Sequence, residues 1–158
     1  MPTPPTTSHA PSGYRCPFCA IAAGIDGDHI ETNQADVVLR APEVTAFVSS
    51  GQWPNNPGHV LVVPNEHFEN LYSLPLRLAT PIHEVVHEVA LALREAFACP
   101  GISTRQHNEP AGGQDVWHYH VHVFPRFEDD HLYGSARAPA APSERAAQAA
   151  AIRAALDP

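Results

Sequence analysis

The sequence predicts an α+β domain: a mostly antiparallel five-stranded sheet, one long helix and short terminal helices. Three observations carry that expectation. Five short segments read as strands. One stretch keeps helical spacing of apolar residues over several turns. Outside that helix, the links are too short for parallel crossovers.

DVVLR (36–40) and TAFVS (45–49) read as two strands joined by the turn residues Ala41 to Glu43. GQWPNNPG is a loop dense in breakers. HVLVVP (59–64) is a short apolar run and predicts a central strand. Thr80-Pro81 offers an N-cap followed by proline at the first helical position. Ile82, Val85, Val86, Val89, Leu93 and Phe97 then share one helical face, and Cys99-Pro100-Gly101 stops the helix. ISTRQH (102–107) and VWHYHVHVF (116–124) complete the strand set. Residues 1–13, rich in Pro, Thr and Ser, predict a disordered tail. The domain is expected over 14–135, and 136–158 is an alanine-rich extension of helical character.

Composition narrows the function. All nine basic residues are arginine, and the formal net charge is −8. That argues against binding a nucleic-acid polymer, which runs on phosphate neutralisation. A small anionic ligand in one pocket stays compatible. No apolar run approaches the ~20 residues of a membrane helix, and no signal-peptide pattern is seen at the N-terminus. The expectation is a cytoplasmic protein without membrane partners.

Chemistry concentrates in WHYHVHVF. On a strand, alternate side chains share a face. Val116, His118, His120, His122 and Phe124 would line one side, with Trp117, Tyr119, Val121 and Val123 facing the core. Three imidazoles on one stripe suit metal binding, general-base work or direct attack on an electrophile. Cys16 and Cys19 form a C-x-x-C that reads as a redox pair, half a zinc site or two unligated thiols. A redox fold would need a strand directly before the motif, where only the tail lies. HEVVH (83–87) fits the H-E-x-x-H of zinc metalloproteases. Its polar residues fall opposite the helix's apolar face, and no suitable third ligand follows, so a solvated helix face is the better reading.

His118-Tyr119-His120-Val121-His122-Val123-Phe124 resembles the signature of the histidine triad (HIT) superfamily of nucleotide hydrolases and transferases. PGHVLVVPNEHFENLYSLP and GGQDVWH resemble two further blocks of that family, in the right order, with the N-terminal CPFC before them. The resemblance implies a HIT-like fold and a homodimer formed through the long helix and a neighbouring strand. It implies reaction at the α-phosphate of a nucleoside phosphoester, anhydride or phosphoramidate, on a purine nucleoside phosphate, as in diadenosine polyphosphate or phosphoramidate hydrolases. His120 would be the nucleophile, forming a nucleotidyl-histidine. His122 would donate to the phosphate and His59 would buttress the triad. Gln114 and the Gly113 backbone would hold phosphate oxygens, with Asn108, Asp115 and Phe47 also placed at the substrate, Phe47 or Trp53 against the base. Cys16, Cys19, His67 and His118 would bind a structural Zn²⁺, with no catalytic metal.

The sequence departs from the family pattern at three places. Asp115 stands where Ser or Thr is usual. Ser49 or Ser50 replaces the acidic residue that many members use to hold ribose. His107 occupies the usual asparagine position, one before Asn108. A non-catalytic nucleotide-binding module on the same fold is therefore the alternative, and a HEVVH protease a more distant one.

Overall fold

The computed structural model describes residues 7–27 and 29–157. Its main sheet comprises β1 (Val37–Arg40), β2 (Val44–Val48), β4 (Val60–Pro64), β5 (Gly101–Gln106) and β6 (Val121–Arg126). Their spatial order is β1-β2-β4-β6-β5, and every neighbouring pair is antiparallel. A two-stranded ribbon adds β3 (Gly51–Gln52) and β7 (Ala138–Pro139).

The period of two sorts the central strands between two cores. Ala46, Val48, Val60, Val62 and Val123 pack beneath the helices α2 (Ala79–Phe97) and α3 (Pro142–Leu156). Phe47, Leu61 and Val63 point the other way, onto the short helix α1 (Pro17–Ala22). β2 and β4 are buried on both faces, which is why they read as nearly unbroken apolar runs. On α2 the buried residues Ile82, Val85, Val86, Val89 and Leu93 follow the expected stripe. The HEVVH polar residues His83, Glu84, His87 and Glu88 all face solvent.

Thr80 does not cap α2. A 3-10 turn, Leu76–Leu78, runs straight into the helix, which begins at Ala79. At the other end the Phe97 ring lies over Gly58, where a Cβ would stand 2.4 Å from it; the φ of +87° also suits glycine alone.

Part of the expected tail packs on the domain. Residues 1–6 lie outside the described residues. Ser8 and the His9 N–H bind the Glu69 carboxylate, and the His9 ring lies against Trp117. Trp117 is therefore half-buried under the N-terminal segment and not in the core.

The C-terminal extension is built into the body. Ala149 and Ile152 are fully buried against α2 and the sheet. Arg145 is 4% exposed, and its guanidinium donates to Asp36 Oδ2 (3.1 Å), Glu31 O (2.7 Å) and Ala140 O (2.6 Å). The Gln148 and Gln52 amides pair at 2.6 and 3.1 Å. These contacts fasten β7 beside β3.

The histidine stripe is less regular than a strand. β6 starts at Val121, where β5 ends opposite it at Gln106 and its pairing with β4 stops at Val62. Before that the chain turns, with His118 N–H on Val116 O and Tyr119 N–H on Phe68 O. Only His122 sits on the ladder. The alternation of faces still survives, since Tyr119, Val121 and Val123 meet the helix-side core while His118, His120 and His122 point away from it.

Candidate functional site

Two distinct environments divide the histidines. The first is a sulfur-nitrogen cluster. Cys16 is the N-cap of α1, with Pro17 at the first helical position, and its Sγ accepts the Cys19 N–H at 3.4 Å. One helical turn therefore sets the two thiols side by side. His67, after β4, and His118 complete the group, with ligating atoms all within 4.8 Å of one another. His118 Nε2–H donates to Pro64 O at 2.9 Å. Its Nδ1 lone pair must then point into the cluster, 3.2 Å from His67 Nδ1 and 3.3 Å from Cys16 Sγ. Lone pairs gathered this closely repel unless a proton or a cation sits among them. Hydrogen bonding from Cys19 pulls the Cys16 thiol down to about 3, while the same bond pushes Cys19 up. The cluster could hold a metal, and a ligating imidazole fixed through its other N–H is the arrangement such sites use.

The second environment is a cavity of about 610 Å³ lined by His120 and His122. His120 Nδ1–H donates to His118 O at 2.7 Å, which leaves Nε2 as the unprotonated nitrogen. Burial pushes its pKa below the ordinary imidazole value, partly opposed by the His118 hydrogen bond and the nearby Asp115 carboxylate. Phe18 of α1 holds the ring edge-on at 5.2 Å. The ring is thus neutral, oriented and nucleophilic at neutral pH.

Behind the cavity the tautomers form a relay. His59 Nδ1–H donates to Gly51 O at 3.1 Å, so its Nε2 accepts from His122 Nδ1–H at 2.9 Å. His59 is fully buried, and burial takes its pKa down to about 3. Burial, and then the neighbouring His59, also lowers His122. His122 Nε2 is therefore an acceptor while neutral and a donor only once protonated. Phe124 stacks on His59 at 4.2 Å, and Trp53 meets both rings edge-on. His107 holds Gly112 O at 2.7 Å with its ring against His122.

Several expected substrate residues do other work. Gln114 is buried, with its amide donating to Glu69 O and Val116 O and accepting from Glu109 N–H. It shapes the loop and does not line the cavity. The Gly113 N–H is bonded to Pro110 O inside a turn, with φ +86°, so it has no donor to spare for an anion. Asn108 binds Leu71 N–H and Gln106. Phe47 is fully buried behind Phe18, which takes the apolar wall in its place. Trp53 lies under Arg105, its indole N–H on Ser135 O. Asp115 does reach the cavity, half-exposed and ion-paired to Arg137 at 3.2 Å. Ser49 and Ser50 line it too, and Ser50 Oγ–H donates to Glu31 Oε2 at 2.8 Å.

Arg137, Glu31 and Phe18 went unsignalled. Arg137 lies in irregular sequence after the last expected strand. Glu31 reaches the cavity because Asn33 and Asp36 form a capping box that turns the chain beside it. That Asn-x-x-Asp pattern was the available clue.

Residues 31–129 match the HIT domain family, and the chain belongs to it. It is 33% identical over 120 residues to "Protein hit" of Bacillus subtilis, covering 76% of this chain and 77% of that one. A zinc-bound histidine triad family protein from Mycobacterium smegmatis superposes with a TM-score of 0.73 at 28% identity, covering 89% of this chain and 92% of that one. Adenylylsulfatase HINT3 of Arabidopsis thaliana is 26% identical over 120 residues, 76% of this chain and 56% of its own length.

Proposed function

We propose that the protein is a nucleotide hydrolase or transferase acting at the α-phosphate of a purine nucleoside phosphoester, anhydride or phosphoramidate. One observation carries the reading: a buried imidazole, His120, whose Nδ1–H is committed to a carbonyl so that its Nε2 lone pair is offered to a 610 Å³ cavity. In the first step the Nε2–phosphorus bond forms and the bond to the leaving group breaks. His122, protonated as the anionic substrate arrives, gives that group its proton. Water then attacks phosphorus, passes a proton to His122 Nε2, and releases the monophosphate and free His120. His59 holds His122 in the required tautomer. Family membership and a relative named as an adenylylsulfatase support the class, and make a phosphosulfate one leaving-group candidate among several.

In the same reading, Cys16, Cys19, His67 and His118 hold a structural zinc ion. The Cys₂His₂ donor set suits zinc, and a similar fold is known with zinc bound. The metal would tie α1 to the sheet, so that Phe18 keeps its place against His120. A homodimer would use the unpaired edge of β5 and the outward face of α2, where Leu91 is 55% exposed. A reducing cytoplasm fits the unbridged Cys16 and Cys19. No helix among the described residues is long and apolar enough to cross a membrane.

The second reading, a nucleotide-binding module without turnover, draws on Asp115, whose carboxylate faces the position a phosphate would take. Substrates labelled at the α-phosphorus separate the two. The expected result is a labelled adduct on His120 and release of a nucleoside monophosphate. His120→Ala should lower kcat by on the order of 10³-fold or more while the fold persists. Tight binding with no monophosphate released from dinucleoside polyphosphates, phosphoramidates or phosphosulfates would favour the binding module.

A further inference from the structure

The family match ends at residue 129, yet a residue beyond it reaches the cavity. Arg137 stands immediately before β7, which is held against β3 by the Gly51↔Pro139 and Gln52↔Ala138 pairs and by Ala140 N–H on Ser50 O. Helix α3 anchors both strands of this ribbon, through Arg145 on Ala140 O just after β7 and Gln148 on Gln52 of β3. The Arg137 stem crosses Gly51 so closely that a Cβ there would stand 2.5 Å from its Cδ. Its guanidinium is therefore delivered to one place by ordered backbone, although it is about half-exposed.

Among the described residues its only ion-pair partner is Asp115, itself on the wall shared with His120. Its charge is also felt by buried His59, at the back of the relay. A net charge of −8 makes the approach of a polyanion unfavourable, and local cations must offset it. Asp115 alone would add to the repulsion. Paired with Arg137 it is neutralised, and the guanidinium is kept next to where phosphate oxygens must lie.

Building on the hydrolase reading above, we propose that Arg137 is a substrate-binding residue for the phosphate chain: Asp115 holds its guanidinium until phosphate oxygens displace the carboxylate. The exchange swaps one charge-assisted contact for another, and a guanidinium can meet two phosphate oxygens at once. Asp115 thereby ceases to be an obstacle in a phosphate site and becomes the holder of its cation.

The test is calorimetric titration of the full chain with adenosine, AMP and ADP and with guanosine, GMP and GDP. Arg137→Gln should weaken binding of the phosphorylated probes by about tenfold and leave the nucleosides unchanged, with Arg137→Lys in between. Arg15→Gln removes the same charge from the cavity wall and controls for a general field effect; its loss should be smaller. Asp115→Asn should tighten phosphate binding several-fold. That gain should vanish in the Asp115→Asn, Arg137→Gln double variant, because it acts through the freed guanidinium. Phosphate binding by Arg137→Gln within twofold of wild type overturns the proposal. So does an Asp115→Asn gain that persists without Arg137, which would mean simple repulsion by the carboxylate. If the wild-type chain bound none of the phosphorylated probes, the hydrolase reading itself would fall and this inference with it.

Discussion

Replacing Arg145 by alanine tests whether the C-terminal segment is structurally part of the site. The side chain is 4% exposed and Asp36 is fully buried, so solvent screening does little to discount their interaction. The substitution strips Asp36 of its cation and leaves a buried carboxylate whose Oδ1 already has no partner. It also removes the donors that Glu31 O and Ala140 O receive at 2.7 and 2.6 Å. Breaking a buried pair in this way costs about 3–5 kcal/mol. For a chain of this length that corresponds to a drop in Tm of roughly 10 °C. Urea denaturation followed by circular dichroism, with the slope checked for two-state behaviour, gives the number. Arg145→Lys should fall between, since one ammonium cannot reach three acceptors in a fixed fork. Because Glu31 and the β7 residues Ala138 and Pro139 line the cavity, substrate KM should rise in the same variant below its melting range. A loss of under about 1 kcal/mol would show that the pair is not the clamp described, and the ordered delivery of Arg137 would lose its basis.

Two other perturbations probe the histidine environments. Cys16→Ser should reduce bound zinc, measured by elemental analysis, and Tm together, with zinc retention weakened by more than ~100-fold; a metal-free wild type of equal stability would remove the zinc assignment. Acidification should destabilise the fold through His59. Its folded pKa of about 3 lies below the ordinary imidazole value, so the unfolded chain takes up its proton first and stability falls as pH drops below about 6.5. From pH 7 to 5 the loss from this one residue is about 2 kcal/mol, with His120 and His122 acting in the same direction. Denaturation midpoints at the two pH values measure it, and His59→Phe should show the smaller fall; equal falls would mean that His59 does not carry the effect.

The sheet was legible because its strands are buried on one or both faces, and burial writes itself into apolar spacing. Val60 to Val63 could hardly be anything but a central strand. The helix α2 announced its inner face in the same way. The start of β6 was not legible. VWHYHVHVF alternates cleanly over its whole length, but a ladder needs paired partners, and neither β4 nor β5 pairs with it before Val121. Period two in a sequence states which face a residue takes, not whether a neighbouring strand is there to bond it. The hydrogen bonding of the expected substrate residues was illegible for a related reason. Gln114, Gly113 and Asn108 are polar groups in a tight loop, and such loops consume polar groups to satisfy their own backbone. A motif names the residues, but the distribution of their hydrogen bonds can be seen only when the turn has closed.

The division of labour among the three imidazoles follows from that same accounting. Each ring gives up one nitrogen: His118 to Pro64 O, His120 to His118 O, and His122 to His59. What remains is one lone pair per ring, and the direction of each is set by where the spent nitrogen went. For His118 it points at two thiols and a further imidazole, a donor set that suits a metal. For His120 it belongs to a ring on the cavity wall, the position the proposed nucleophile requires. For His122 it belongs to a ring backed by a histidine that resists protonation, so a proton gained there is held at Nε2, on the cavity side. Rings of one residue type, spaced two apart, thus acquire unlike reactivity from three hydrogen bonds made on the far side of each.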